Sequence, residues 1–227
     1  MLKIELPAEV PGMTLSNTVL FPHAILPLYI FEDRYRRMVR DVLGSHRIFL
    51  VAHQINEPAH DVIDSEPAHQ MATAGIIRMC SHNADGTSNL MLQGLTRVKI
   101  DQIVSDEPYR TFAVTPVAST CQSDTEIELA QRQAEFLKLV EAKEKLGSTY
   151  PPEIHSIFEK LQNVDMLADL ASHIFCRDDS ERQKLLETID SHKRIDLLMK
   201  NMRKDVASLR LNRKLQGQLN DDDIPSN

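Results

Sequence analysis

Two short groupings in this sequence hold residue types that could support nucleophilic catalysis. Ser45 is followed by His46, and Cys80 stands two residues before His82. A hydroxyl or thiol within reach of an imidazole can be deprotonated and attack a carbonyl, provided that a third group orients the base and an oxyanion hole receives the charge. On a strand, residues i and i+2 share a face, so Cys80 and His82 can meet. Neither grouping brings an identifiable orienting carboxylate or oxyanion hole. Cys80 therefore reads as a small buried hydrophobe beside a hairpin-end histidine, and no catalytic residue is assigned.

Metal binding fares similarly. His53, His60, His69, Cys80 and His82 fall in one region, and His173 and Cys176 stand at i and i+3. Structural zinc uses close ligand pairs drawn from a Cys/His set, and one loose pair per half does not make one. Scattered surface histidines are the plain reading, so no metal ligand and no cofactor is expected. A phosphate loop needs glycine followed by lysine and Ser/Thr, whose amides and ammonium cradle phosphates. None of the seven glycines precedes a lysine, which removes P-loop ATP hydrolysis. The carboxylates form no pattern beyond helix caps and solvated faces.

The elements that must carry these residues change character near residue 120. Residues 1–118 are read as a β-rich domain. Thr14 to Phe31 is apolar, with Pro22 and Pro27 where a central strand would lose ladder bonds, so it reads as short edge strands or a folded-over segment. From Asp33, read as the N-cap, to Gly44 the period is helical, with Tyr35, Met38, Val39, Val42 and Leu43 inward. Arg34, Arg36, Arg37 and Arg40 form the wet side, where they either meet solvent or contact a partner. Strands follow at Ile48–Val51, Gly75–Ser81, Asn89–Gln93, after Gly94, and Tyr109–Val117, with Asp85-Gly86 as a hairpin turn. Gln54 to Met71 reads as a surface loop. Five or six short strands and one helix suggest a small, partly closed barrel.

Residues 123–216 are read as a helical bundle. Ser123 and Glu126 have capping-box form. Breaks at Gly147, Pro151-Pro152, Asn163, Asp178 and Asp190 divide the segment into five helices. Ile154, Ile157, Phe158, then Leu167, Leu170, Ala171, Ile174, then Leu185, Leu186 and Ile189 supply inward faces. The last helix carries a stripe of Ile195, Leu198, Met202, Val206 and Leu209. Residues 217–227 form an acidic tail expected to be disordered.

Composition bounds the remaining options. With 227 residues, 42% hydrophobic and 26% charged, the chain can bury a real core. Aromatic content is 5% and Trp is absent, leaving few residues to stack on sugars or bases. No apolar run approaches the roughly 20 residues of a membrane span, and the start lacks a signal peptide's uncharged core. Three cysteines without a CxxC pair argue for reduced thiols, and a cytoplasmic protein is expected. The net charge is −7, yet His192 to Lys214 holds eight basic residues against Asp196 and Asp205, so this segment is +6 and the rest is −13. That body should repel polyanions, which disfavours nucleic acid.

The ordered series Asn17, Val19, Phe21, Pro22, Leu26, Pro27, Leu28, Ile30, Phe31, Glu32, Arg34, Tyr35 resembles the opening of the Lon protease amino-terminal, substrate-binding domain. There the pattern is Pro-Asn-x-Val-hydrophobic-Phe-Pro-Gly, running into Leu-Pro-Leu-x-Ile-Phe-Glu-x-Arg-Tyr. Ser16 replaces the first proline and His23 the glycine. Gly75, Asp85, Gly86, Leu92, Gly94, Leu95, Arg97 and Val98 continue the match, as do Leu167-Ala-Asp169, Gln183-Lys-Leu-Leu-Glu187 and Arg194.

This resemblance implies an α+β fold: a PUA-like barrel with one helix, then a helical bundle ending in a long helix, expected here as a free-standing domain. It implies a non-catalytic module that recognises exposed or unfolded peptide segments, as an adaptor or holding factor working with a protease or chaperone. Candidate partner-binding residues are Phe21, Tyr29 and Phe31 on the barrel and Leu198, Met202, Val206 and Leu209 on the last helix, which could also pair with its own copy in a homodimer. The alternative is RNA binding, by analogy with other PUA-like barrels.

Overall fold

The computed structural model describes residues 6–55, 66–121 and 125–217. Two compact units emerge. Unit 1 comprises Met1–Thr120 with Asp169–Asp190, and unit 2 comprises Cys121–Ala168 with Ser191–Asn227.

Unit 1 is built on strands β1 (Glu9–Leu15), β2 (Ile25–Ile30), β3 (Ile48–His53), β4 (Met71–His82), β5 (Ser88–Ser105) and β6 (Thr111–Val117), with helix α1 (Asp33–Leu43) between β2 and β3. The sheet order is β2-β5-β4-β3-β1-β6, and β6 also pairs with β5. Five strands thus close into a barrel, and β2 is left outside the ring as an edge strand. β5 makes this possible by its length: its first half pairs with β2, and its second half with β6. Val10, Ile48, Leu50, Ala52, Ala72, Ala74, Val98 and Phe112 fill the interior.

β5 is one strand where the sequence suggested two. Gly94 lies inside it because the turn before β2 crosses there: a Cβ on Gly94 would stand 2.1 Å from the Phe21 carbonyl oxygen. His23 N donates to Gly94 O at 2.9 Å and Gly94 N to Ala24 O at 2.9 Å. His23 itself adopts φ 67°, the left-handed region that glycine takes without cost. β1 is a strand that the sequence reading does not assign, and it contains Pro11 and Gly12, residue types common in turns. It forms because it runs parallel to β3 and antiparallel to β6, and because Gly12 sits where a side chain would strike Leu50 and Phe112. α1 follows the expected pattern with Tyr35, Met38, Val39 and Val42 buried, although Glu32 is its N-cap and Asp33 its first residue.

Helices α2 (Glu126–Lys145), α3 (Ile154–Glu159), α4 (Val164–Phe175), α5 (Asp179–Glu187) and α6 (Ser191–Gln216) complete the chain. The unit boundary falls within α4. Its later residues and α5 belong to unit 1, because buried polar groups tie them to the barrel. The Arg97 guanidinium forks onto the Asp169 carboxylate, with one bond at 3.0 Å, and also donates to Leu186 O at 2.9 Å. Gln183 donates to Met71 O at 3.0 Å. Ile174, expected inward, is exposed; Phe175 is buried instead.

In unit 2, Thr125 caps α2 and forms a capping box with Glu128. Ser123, the expected cap, lies outside the described residues, as does the acidic tail. α2 and α6 run side by side in the same direction, joined by Arg132 to Asp196, Glu135 to Arg203 and Lys143 to Asp205. Phe136 and Phe158 pack with centroids 4.9 Å apart, and Gln133 donates to the carbonyls that end α3. No helix among the described residues is long and apolar enough to cross a membrane.

Candidate functional site

The groupings singled out in the sequence make local structural contacts. Ser45 Oγ donates to Asp41 O and His46 Nδ1 accepts from Ile48 N, so each serves the backbone at the end of α1. His82 pairs with Ser88 Oγ at 2.8 Å, and burial pushes the Cys80 thiol above its ordinary pKa, away from the nucleophilic thiolate. His53 and His69 stack with centroids 5.2 Å apart, and His53 Nε2 faces Ser16 O at 3.1 Å. His60 lies outside the described residues. Burial and the nearby Arg182 push His173 down to about 4, and burial raises Cys176 to about 11. The arginines of α1 divide: Arg34 pairs with Glu32 and Glu66 and Arg36 with Asp33, while Arg37 and Arg40 are exposed.

A different kind of site stands on the outer side of β2, β5 and β4. Side chains alternate along β2, so Ile25, Pro27 and Tyr29 face outward together. Pro27 is tolerated there because β2 is an edge strand and its missing N–H interrupts no central ladder. Pro27 lies opposite Met91, and Met91 opposite Met79, making one apolar row across three strands. In the next row Tyr29 lies opposite Asn89, and Asn89 opposite Ser81.

Met79 owes its position to an irregularity. Strict alternation from buried Ile77 would turn Met79 inward, but the register shifts between Ile77 and Met79, leaving Arg78 as an extra residue. This bulge re-aims the following side chain, and Met79 ends 65% exposed. Tyr29 is 54% and Phe31 60% exposed, and their rings stack with centroids 6.0 Å apart. Between the rows runs a shallow groove of about 370 Å³, lined by Pro27, Tyr29, Met79, Met91 and their neighbours without any charged side chain.

Of the residues expected to meet a partner, the structure brings Tyr29 and Phe31 together at the surface and buries Phe21 completely. Leu198, Met202 and Val206 are buried in unit 2 and Leu209 is half-buried, so this stripe is core. Sequence reasoning missed Met79 and Met91, because a methionine on a strand announces neither face and the bulge that exposes one of them has no sequence signature.

Comparison with known proteins gives this geometry a lineage. A profile of the substrate-binding domain of ATP-dependent protease La (LON) matches residues 9–204. The chain belongs to the Lon substrate-binding domain family. The Lon protease of Dictyoglomus thermophilum is 25% identical over 218 residues, covering 95% of this chain and 27% of that protein. The N-terminal domain of the Mycobacterium avium complex Lon protease superposes with TM-score 0.63 at 19% identity, over 86% of this chain and 98% of that one. A Lon N-terminal domain protein from Xanthomonas campestris gives 0.62 at 18%, over 85% and 97%. These two share the α+β fold. This Lon substrate-binding domain therefore spans about a quarter of the relative's length, the part named for binding substrate, and the match does not extend to the relative's remaining length.

Proposed function

We propose that this chain recognises exposed apolar segments of other polypeptides on the outer face of β2, β5 and β4, and performs no covalent chemistry of its own. The observation that supports this most is the uncharged groove between the Pro27-Met91-Met79 row and the Tyr29-Phe31 pair. Methionine's flexible thioether adapts to varied apolar partners, which suits a receptor for many sequences. At about 25 cal/mol per Å² of apolar surface covered, so shallow a groove leaves only weak, reversible binding once ordering costs are met. Weak capture fits an adaptor or holding factor that passes a client to a protease or chaperone. An uncharged groove also suits a chain segment far better than a phosphate backbone, which needs cations.

The test is anisotropy titration with a labelled, reduced and carboxymethylated protein that stays unfolded. Tyr29→Asp together with Met79→Asp should weaken binding about tenfold or more while leaving the melting temperature in place. Equal binding by the variant would remove the face from the reading.

A further inference from the structure

A second surface, in unit 2, has a different chemistry. At the C-terminal end of α6 a groove of about 530 Å³ is lined by Leu146, Ala207 and Leu211 and bordered by Arg210, Arg213 and Lys214. Leu211 is exposed, and so is Leu215 one turn on. We propose that this groove docks an acidic amphipathic helix of a partner protein, with leucine-type anchors against Leu211 and carboxylates against Arg210 and Lys214.

Three observations support that occupant. Ala207 and Leu211 stand at i and i+4, and Arg210 and Lys214 do the same beside them, so an apolar line and a basic line run in parallel down one helix face. An acidic amphipathic helix carries the complement of both lines. Next, three other cations of α6 and α2 are already neutralised: Arg203 by Glu135, Arg132 by Asp196, Lys143 by Asp205. Arg213 donates to Lys145 O and so caps the end of α2. Arg210 and Lys214 make no ion pair among the described residues, and Arg210 lies a turn before the end of α6, where the helix dipole no longer accounts for a cation. Finally, the segment His192 to Lys214 is +6 against −13 elsewhere. An approaching acidic segment is attracted by this basic stretch.

The experiment titrates the full chain against a labelled helix-forming peptide of about 15 residues with leucines on one face and glutamates flanking them. Its control is the same peptide with glutamine for every glutamate. The glutamate peptide should bind in a salt-sensitive way, with the glutamine version about tenfold weaker. Arg210→Glu with Lys214→Glu should cost about tenfold, and Leu211→Ser a similar factor. These side chains are exposed, and circular dichroism melts confirm that each variant folds. Should one melt early, Arg210→Gln or Leu211→Ala repeats the comparison. Unchanged affinity in the charge-reversed variant would overturn the proposal. Polyglutamate competing as well as the amphipathic peptide, or single-stranded RNA or anionic vesicles binding more tightly, would overturn it too. Capture of the unfolded protein described above should be indifferent to all of these substitutions, so the two surfaces are tested separately.

Discussion

Arg97 and Asp169 show how residue-scale signals become structure. Each stands in a weak motif, 72 positions apart, and each is fully buried with the other as its counter-charge. Removing one partner strands a charge in the interior, so Asp169→Ala should lose about 3–5 kcal/mol in denaturant unfolding, and Arg97→Lys should also be destabilising because the fork is lost. The motifs were legible in sequence, but the pairing was not, since nothing local tells an arginine on a strand which distant carboxylate it will meet. His173 supplies a second prediction. Its ring is packed against Phe21, and its pKa falls to about 4 from an ordinary 6.5, so the fold favours the neutral form. That contribution is complete above about pH 6.5 and is lost as the pH falls toward 4, by up to about 3 kcal/mol. Unfolding curves at pH 7.5 and 4.5 should differ accordingly, and His173→Gln should flatten this part of the profile.

Element-scale features decide which side chains face outward. β2 is displaced from the barrel ring and presents Tyr29, while the bulge in β4 presents Met79. Periodicity made α1 and the helices after residue 125 readable, because their inward stripes repeat over several turns. β1 was not readable: Pro11 and Gly12 carry turn signals, and only the parallel pairing with β3 and the crowding by Leu50 overrule them. The cap of α2 shifted by two residues for a similar reason, since Thr125 and Glu128 offer the same capping chemistry as the pair expected at Ser123 and Glu126. At the crossing of β5 with the Phe21-Pro22 turn the obstacle to a side chain is backbone. Gly94→Ala should therefore destabilise by more than about 3 kcal/mol and spoil the seating of β2, seen as early thermal unfolding together with loss of unfolded-protein binding.

For the whole molecule, the chain divides so that Asp169–Asp190 belongs to the same unit as the barrel, a grouping that a change of sequence pattern near residue 120 does not reveal. The α+β class and family were legible from the order of many weak motifs. The proposed recognition face was only half legible, through Tyr29 and Phe31, because its other half depends on a bulge and on strand register. Selective methionine-methyl NMR offers the most direct check of that face. With the methyls of the chain's nine methionines labelled and an unfolded polypeptide added, the account predicts shifts concentrated at Met79 and Met91. Met38, buried in α1, and Met202, buried in α6, should stay in place. Shifts at the buried methionines with Met79 and Met91 unmoved would contradict the account.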